Sequence, residues 1–426
     1  MRSFLLFLIL TPFIGSAQSV KKCKQRFDSY LNFRGSLNSL VKFDNNSICI
    51  YHNGKKEFSL YTNELEMMAE FFEHTSLKQQ TELLQQKGNK NYNKRQRDSL
   101  WIYVDDRKKL PKKRKGLPLE GYRVAIDPGH FSVSLDEGEI EGKYLYFALD
   151  SIRNGKDSVR IFESELSFLT AQILRKMLEE QGAKVFLTKN ESNFTSFNCT
   201  YSSWFDKRKN ATLDSLVEVG FLTVEKKNRL LALDRKRFFW EFFRDYDLLN
   251  RAKIINTFNP HVSAVIHYNV DEKNEPWKKT TKKNVTMSFI GGAFTADNFE
   301  KTETRINFLR LLLTNQLNSS EKISAQVTNQ FSKLLQIPIA KPEDALYLKN
   351  NSMTLPSPGV YSRNLVMCRQ INSPVVYGEA LYQDNEKECI ELMKRDIDKY
   401  GIRVNSRVVK CANAYMNGIA KFLKEL

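Results

Sequence analysis

The strongest constraint on the fold is a change of rhythm at Tyr122. From there short apolar runs alternate with amphipathic stretches of helix length. YRVAI (122–126), KVFLT (184–188), SAVIHYNV (263–270) and SPVVYGEAL (373–381) have the length and content of buried strands. ELSFLTAQILRKMLEEQG (165–182), LLNRAKIINTF (248–258) and ANAYMNGIAKFLKEL (412–426) predict helices. In the first of these, Leu166, Leu169, Ile173, Met177 and Leu178 fall on one face, and Gly182 stands where a helix-terminating glycine belongs. Strands alternating with helices predict an α/β fold with a largely parallel sheet flanked by helices. In such a sheet, functional residues gather beyond the C-terminal strand ends.

The remainder of the 426 residues surrounds that domain. Residues 1–17, MRSFLLFLILTPFIGSA, read as a signal peptide: a basic residue, a short apolar core and small residues at the cleavage point. The chain is therefore expected to be exported, to the periplasm in preference to full secretion because no wall-anchoring repeat is visible. No later stretch is apolar for long enough to span a membrane. Residues 18–116 form a small N-terminal α+β module of unassigned role. Within it, Asn53-Gly54 predicts a type I′ hairpin and residues 63–87 read as helical, and the basic, proline-broken stretch 107–121 reads as a linker. Residues 117–426 carry the strand-and-helix rhythm and are expected to form one domain, with long inserts near 191–247 and 271–345. The second holds a strand-like VTMSFIG and two helical stretches. The net charge of +17 suits an anionic surface such as a cell-wall polymer, and export argues against nucleic acid. Six cysteines, widely spaced and without a C-x-x-C pair, argue against a cysteine-built zinc site and leave room for one or two disulfides.

Chemistry concentrates at strand and helix ends. VAIDPGH (124–130) carries a strand into a tight turn that stops on His130, one of only five histidines. His267 lies in SAVIHYNV, and Glu163 opens the helix leading to the second strand. Two imidazoles, one carboxylate and an open fourth position are what a catalytic zinc ion needs. Glu379, after SPVVYG, is the candidate base for a zinc-activated water and the proton donor to a leaving nitrogen. Asp127 is a candidate partner for a ligating histidine or a cap of the Pro-Gly turn. Asn269 and Arg251 are candidate substrate-binding residues, with turn-capping and structural ion pairing as their alternatives. Asp136, Glu137, Glu139 and Glu141 rival Glu163 as local carboxylates. His261, His52 and His74 read as non-functional, and FFWEFF (238–243) as core before sugar platform.

The order IDPGH, a Glu opening a helix that ends in G-x-x-V-x-L-T, Arg251-x-x-x-x-Asn256, IHYN, then Glu379 before Asn385-Glu386, resembles the zinc-dependent N-acetylmuramoyl-L-alanine amidases of the bacterial cell wall, of the amidase-3 type. The resemblance spans roughly 117–426 with long gaps. It implies zinc held by His130, Glu163 and His267, with Glu379 catalytic. The spacing from Glu163 to Gly182 matches the family, whereas Glu165 would be displaced. Two departures stand out: Phe131-Ser132 replaces the usual Gly-Gly after DPGH, and Lys189 replaces the usual Arg after L-T.

The implied activity is hydrolysis of the amide between N-acetylmuramic acid and L-alanine in peptidoglycan, for wall remodelling or daughter-cell separation. The competing readings are a non-catalytic peptidoglycan-binding protein that kept the fold, and a zinc peptidase. An activator protein that relieves an inhibitory insert is the further partner expected from the insert lengths.

Overall fold

The computed structural model describes residues 19–75, 79–83, 116–148, 158–274 and 278–426. The signal-peptide expectation, most of the 107–121 linker and the end of the 63–87 helical stretch lie outside them.

The strands, in chain order, are β1 (Val41–Phe43), β2 (Ser47–His52), β3 (Lys55–Tyr61), β4 (Arg123–Pro128), β5 (Tyr144–Ala148), β6 (Ser158–Phe162), β7 (Lys184–Leu187), β8 (Val262–Asn269), β9 (Met287–Gly291), β10 (Ser352–Thr354), β11 (Val360–Arg363), β12 (Val375–Tyr382), β13 (Ile397–Lys399) and β14 (Ile402–Val404). Seven of them make one sheet in the order β10-β11-β9-β12-β8-β4-β7. β12, β8, β4 and β7 run parallel to one another, as do β11 and β9. The β9–β12 and β10–β11 pairs are antiparallel. The largely parallel sheet expected from the alternation is present, with an antiparallel edge.

Side-chain alternation divides the sheet between two cores. Val124, Ile126, Ala264, Ile266 and Val376 face one core, formed with helices Glu163–Glu180, Gln316–Leu335 and Ser406–Lys424. Ala125, Val265 and Val375 face the other, against Ala252 and Ile255 of helix Arg244–Phe258. Burial on both faces explains why these strands read as continuous apolar runs instead of alternating ones. The helix that Glu163 opens ends as its sequence requires. Gly182 takes φ +91°, Gly182 and Ala183 donate to the carbonyls of Glu179 and Leu178, and a Cβ at Gly182 would approach Leu117 to 2.8 Å.

Near the N-terminus, β1, β2 and β3 form a small antiparallel sheet. Its hairpin turns on Asn53 and Gly54, both at positive φ (49° and 71°), as a type I′ turn demands. Helix Leu65–His74 packs beside it. This region shares one apolar core with Ile290, Phe294 and helix Thr302–Leu313. Arg26 donates to the carbonyls of Leu312 and Leu313, and Tyr30 Oη to Glu321 at 2.6 Å.

All six cysteines are free thiols. The disulfides that export left room for are not formed: Cys23 packs with the N-terminal region, Cys368 beside β9, and Cys389 and Cys411 lie unpaired in the main core. Burial raises Cys23 to about 11 and Cys389 and Cys411 to about 12.

Candidate active site

β8 and β12 are parallel neighbours, and Glu379 is the register partner of His267. Counting by twos from Val265 and Val375 puts both side chains on the same face, at the C-terminal ends of their strands. β4 ends beside them and turns through Gly129 into His130. Gly129 donates to Ile266 O at 3.0 Å, which brings the turn against β8. A Cβ at Gly129 would lie 2.3–2.7 Å from the ring of His267, so only glycine lets the two histidines approach. His130 itself takes φ +60°, an uncommon conformation for a non-glycine residue and one that costs free energy. Lys189 Nζ donates to the carbonyl of His130, and also to Ser164 Oγ and Ser192 O, both at 2.9 Å. Lys189 thus anchors the strained turn; burial, followed by the charge of Arg251, lowers it to about 7.

Glu163 is 2 % exposed in the first turn of its helix, where the helix dipole favours its charge. Its Oε1 lies 3.1 Å from His130 Nε2 and 2.9 Å from His267 Nδ1. Ligand atoms of His130, Glu163 and His267 all lie within 4.8 Å of one another, a group that fits a metal ion. Burial pushes the Glu163 carboxyl up. The charge of His130 and the hydrogen bonds of both imidazoles outweigh it and hold the carboxyl well below the usual range. His130 is raised to about 9: burial pulls it down, and the carboxylates of Glu163 and Glu141 overcome that pull. This anionic surround is the environment a dication requires. Glu165, the displaced rival, points outward to Arg395 at 2.7 Å.

Glu141 is the site residue that sequence reasoning placed wrongly. It ends the short helix Leu135–Glu141, and its Oε1 sits 2.9 Å from His130 Nδ1. Its Oε2 accepts from the backbone N–H groups of Phe131 and Ser132 at 3.1 and 3.0 Å. Glu141 therefore takes the histidine-partner role considered for Asp127, and it also closes the loop that replaces Gly-Gly. Asp127 instead accepts from Thr188 Oγ1 and from Arg251 Nη1 at 3.2 Å. The only sequence signal for Glu141 was its membership of an acidic loop.

Arg251 is 2 % exposed and also donates to Asp247 at 2.7 Å and to Pro128 O at 3.0 Å. Asn269 donates to Tyr347 Oη at 2.6 Å, and its Oδ1 accepts from the N–H of Val270. His261 Nδ1 accepts from Arg123 N at 2.9 Å, away from the site. His52 lies 3.8 Å from Glu300 in the N-terminal region; the side chain of His74 lies outside the described residues.

Glu379 is half-buried, and its Oε2, itself buried, has no hydrogen-bond partner among the described residues. Burial, and then the neighbouring Glu163, raise it to about 8. An unsatisfied buried carboxylate costs free energy and is a mark of function where it faces a reactive group. A cleft of about 410 Å3 opens over His130, Glu141 and His267. One wall carries Tyr377, stacked on His267 at 4.5 Å and 8°, and Arg363. The other carries Phe239 and Trp240. In FFWEFF, Phe238, Phe239, Phe242 and Phe243 are core, as expected. Trp240 is 43 % exposed and faces the cleft because residues 239–243 form one π-helical turn.

Two imidazoles and a carboxylate thus meet at one edge of a mostly parallel sheet, a group that could hold a metal ion. The chain belongs to the N-acetylmuramoyl-L-alanine amidase family, whose model matches residues 124–420. It is a peptidoglycan amidase, of a family that is generally zinc-dependent and typically exported. Solved structures similar to it include the CwlD amidase of Clostridioides difficile in complex with the GerS lipoprotein (18% identity, 72% of this chain and 100% of that one, TM-score 0.38). They also include Ami1 of Mycobacterium smegmatis (14%, 72% and 99%, TM-score 0.38) and the catalytic domain of CwlV from Bacillus (Paenibacillus) polymyxa var. colistinus (14%, 71% and 98%, TM-score 0.36). No curated protein matches the sequence. No helix among the described residues is long and apolar enough to cross a membrane.

Proposed function

We propose that the chain is a zinc-dependent amidase in which His130, Glu163 and His267 hold the metal and Glu379 is the catalytic carboxylate. The observation that carries this reading is the convergence of three ligand atoms within 4.8 Å at the sheet edge that also holds Glu379, whose buried Oε2 lacks a partner among the described residues. Zinc held by these three residues would supply Lewis acidity for amide hydrolysis. Glu379 Oε2 accepts the proton of the attacking water and passes it to the nitrogen of L-alanine as the amide breaks. Its raised affinity for a proton suits both halves of that task. Glu141 fixes the ring of His130 through Nδ1, leaving Nε2 directed at Glu163. Arg251, through Nε and Nη1, holds Asp247 and Asp127 in place, and Asn269 holds Tyr347. Tyr377 and Trp240 keep water from the sides of the cleft.

Residues 1–17 direct export, and the periplasm is the proposed compartment. The segment 191–247, which builds one wall of the cleft, is the place where an activator protein would act. The test is digestion of purified peptidoglycan by the full-length protein, with products identified by mass. Stem peptides beginning in L-alanine, lost with a chelator and restored by zinc, are expected. Products cut within the peptide, or no zinc requirement, would overturn the reading.

A further inference from the structure

Arg363 ends β11, within the cleft, and has no assigned task. Its guanidinium lies over two rings, 4.9 Å from the centroid of Tyr347 and 5.5 Å from that of Phe289. Among the described residues it makes no side-chain hydrogen bond or ion pair, although it is half-buried. A guanidinium stays charged at every physiological pH, and although the charge of Arg363 is felt by Glu379, no carboxylate hydrogen-bonds to it among the described residues. Its support is built: Tyr347 is held by the amide of Asn269 at 2.6 Å, and Phe289 packs 6.1 Å from Tyr377, which stacks on His267. A row of rings thus links the candidate metal ligand to an unpaired cation on the same wall of the same cleft. Stacking consumes the faces of a guanidinium and leaves its edge, with the paired N–H donors, for a planar anion.

We propose that Arg363 is a specificity determinant that binds a carboxylate of the stem peptide next to the scissile amide, selecting stems whose second residue carries a free α-carboxylate over those in which it is amidated. The inference rests on the amidase reading. The substrate begins at L-alanine, and the next residue, a glutamate joined through its γ-carboxyl, carries its α-carboxyl either free or as an amide. That carboxyl is the first anion encountered along the stem from the bond to be broken. The amide form presents an N–H2 to the N–H edge of Arg363 and loses both the charge and one acceptor.

The test uses the full-length, zinc-loaded protein and two probes, glycan strands bearing L-Ala-γ-D-Glu stems with the α-carboxyl free or amidated. The wild type is expected to favour the free acid in kcat/KM by about tenfold or more, the scale of one charged hydrogen-bonded contact. In Arg363→Gln the acid-to-amide ratio should fall to about one, and Arg363→Lys should keep part of it. Misfolding lowers both rates together, so the ratio separates it from lost recognition, and the wild-type ratio alone decides should the variant not fold. Equal rates for the wild type, or a ratio preserved in Arg363→Gln, would overturn the proposal while leaving the amidase reading intact. Release from neither probe would remove both.

Discussion

The two long segments that interrupt the strand-and-helix rhythm serve different ends. Residues 191–247 build an aromatic core of their own from Tyr201, Trp204, Phe238, Phe242 and Phe243. This segment meets the frame through Phe131, packed on Phe239 and Tyr201, the Trp240 indole N–H donated to Ile140 O, Ser192 O accepting from Ser164 Oγ, and Asp247 accepting from Arg251. Residues 271–345 are part of the frame itself. They supply β9 to the sheet and helix Gln316–Leu335 to the main core, and they share a core with the N-terminal region. An insert that adds its own small core beside a site can reshape the cleft at little cost to the fold. An insert threaded through the sheet cannot be changed without unfolding it.

That contrast gives the largest expected effect. Phe331→Ala, at a fully buried position against Tyr415, should cost about 3–5 kcal/mol of global stability in denaturant unfolding. Phe238→Ala removes a comparable ring from the 191–247 core. It should instead raise hydrogen exchange within that segment while moving the global midpoint less. Equal global shifts would erase the distinction. Next in size is Arg251→Met. It strands the buried carboxylates of Asp127 and Asp247 at the joint between the 191–247 segment and β4 and should cost about 3 kcal/mol in the same measurement.

The route from the 191–247 segment to the site passes through Ile140 and Glu141. Glu141→Gln keeps the shape but weakens the acceptor for His130 Nδ1. It should lower zinc affinity by about 10- to 100-fold in competition with a chromophoric chelator, with the fold retained. An unchanged affinity would separate the loop from the metal. The smallest effect concerns Glu137, raised to about 7 first by burial and then by Glu141. Its folded pKa exceeds its unfolded value, so the folded state binds more protons between about 4.5 and 7, and stability falls as pH rises through that window. Glu137→Gln should remove this fall and gain about 1 kcal/mol near neutral pH once solvent screening is allowed for. A thermal unfolding series against pH checks it.

What the sequence disclosed followed from local patterning. The apolar runs of β4, β8 and β12 are legible because both faces of each are buried, and that of β7, an edge strand, because its apolar side chains pack half-buried against the two cores. Their order carries His130, Glu163, His267 and Glu379 to one edge by topology alone. Gly182 and Asn53-Gly54 were legible because each backbone conformation suits few other residues. Pairings made by chain folding back were hidden. Glu141 reaches His130 only because the loop after Phe131 turns into a short helix. Asp127, nearer in sequence, is claimed by Arg251. The strands β10 and β11 are too short to show a period, so the setting of Arg363 on Tyr347 and Phe289 had no sequence signature. The shared core of the N-terminal region and residues 290–317 was hidden for the same reason, since amphipathic faces do not name their partners.

The most direct test of the central claim compares the wild type with Glu379→Gln at matched zinc content, reading release of L-alanine-terminated peptides from peptidoglycan. The account predicts a loss of about 10²- to 10⁴-fold in kcat, the scale of a general acid–base contribution, with zinc still bound. Equal rates would show that the carboxylate opposite His267 is not the proton carrier and would contradict the mechanism at its centre.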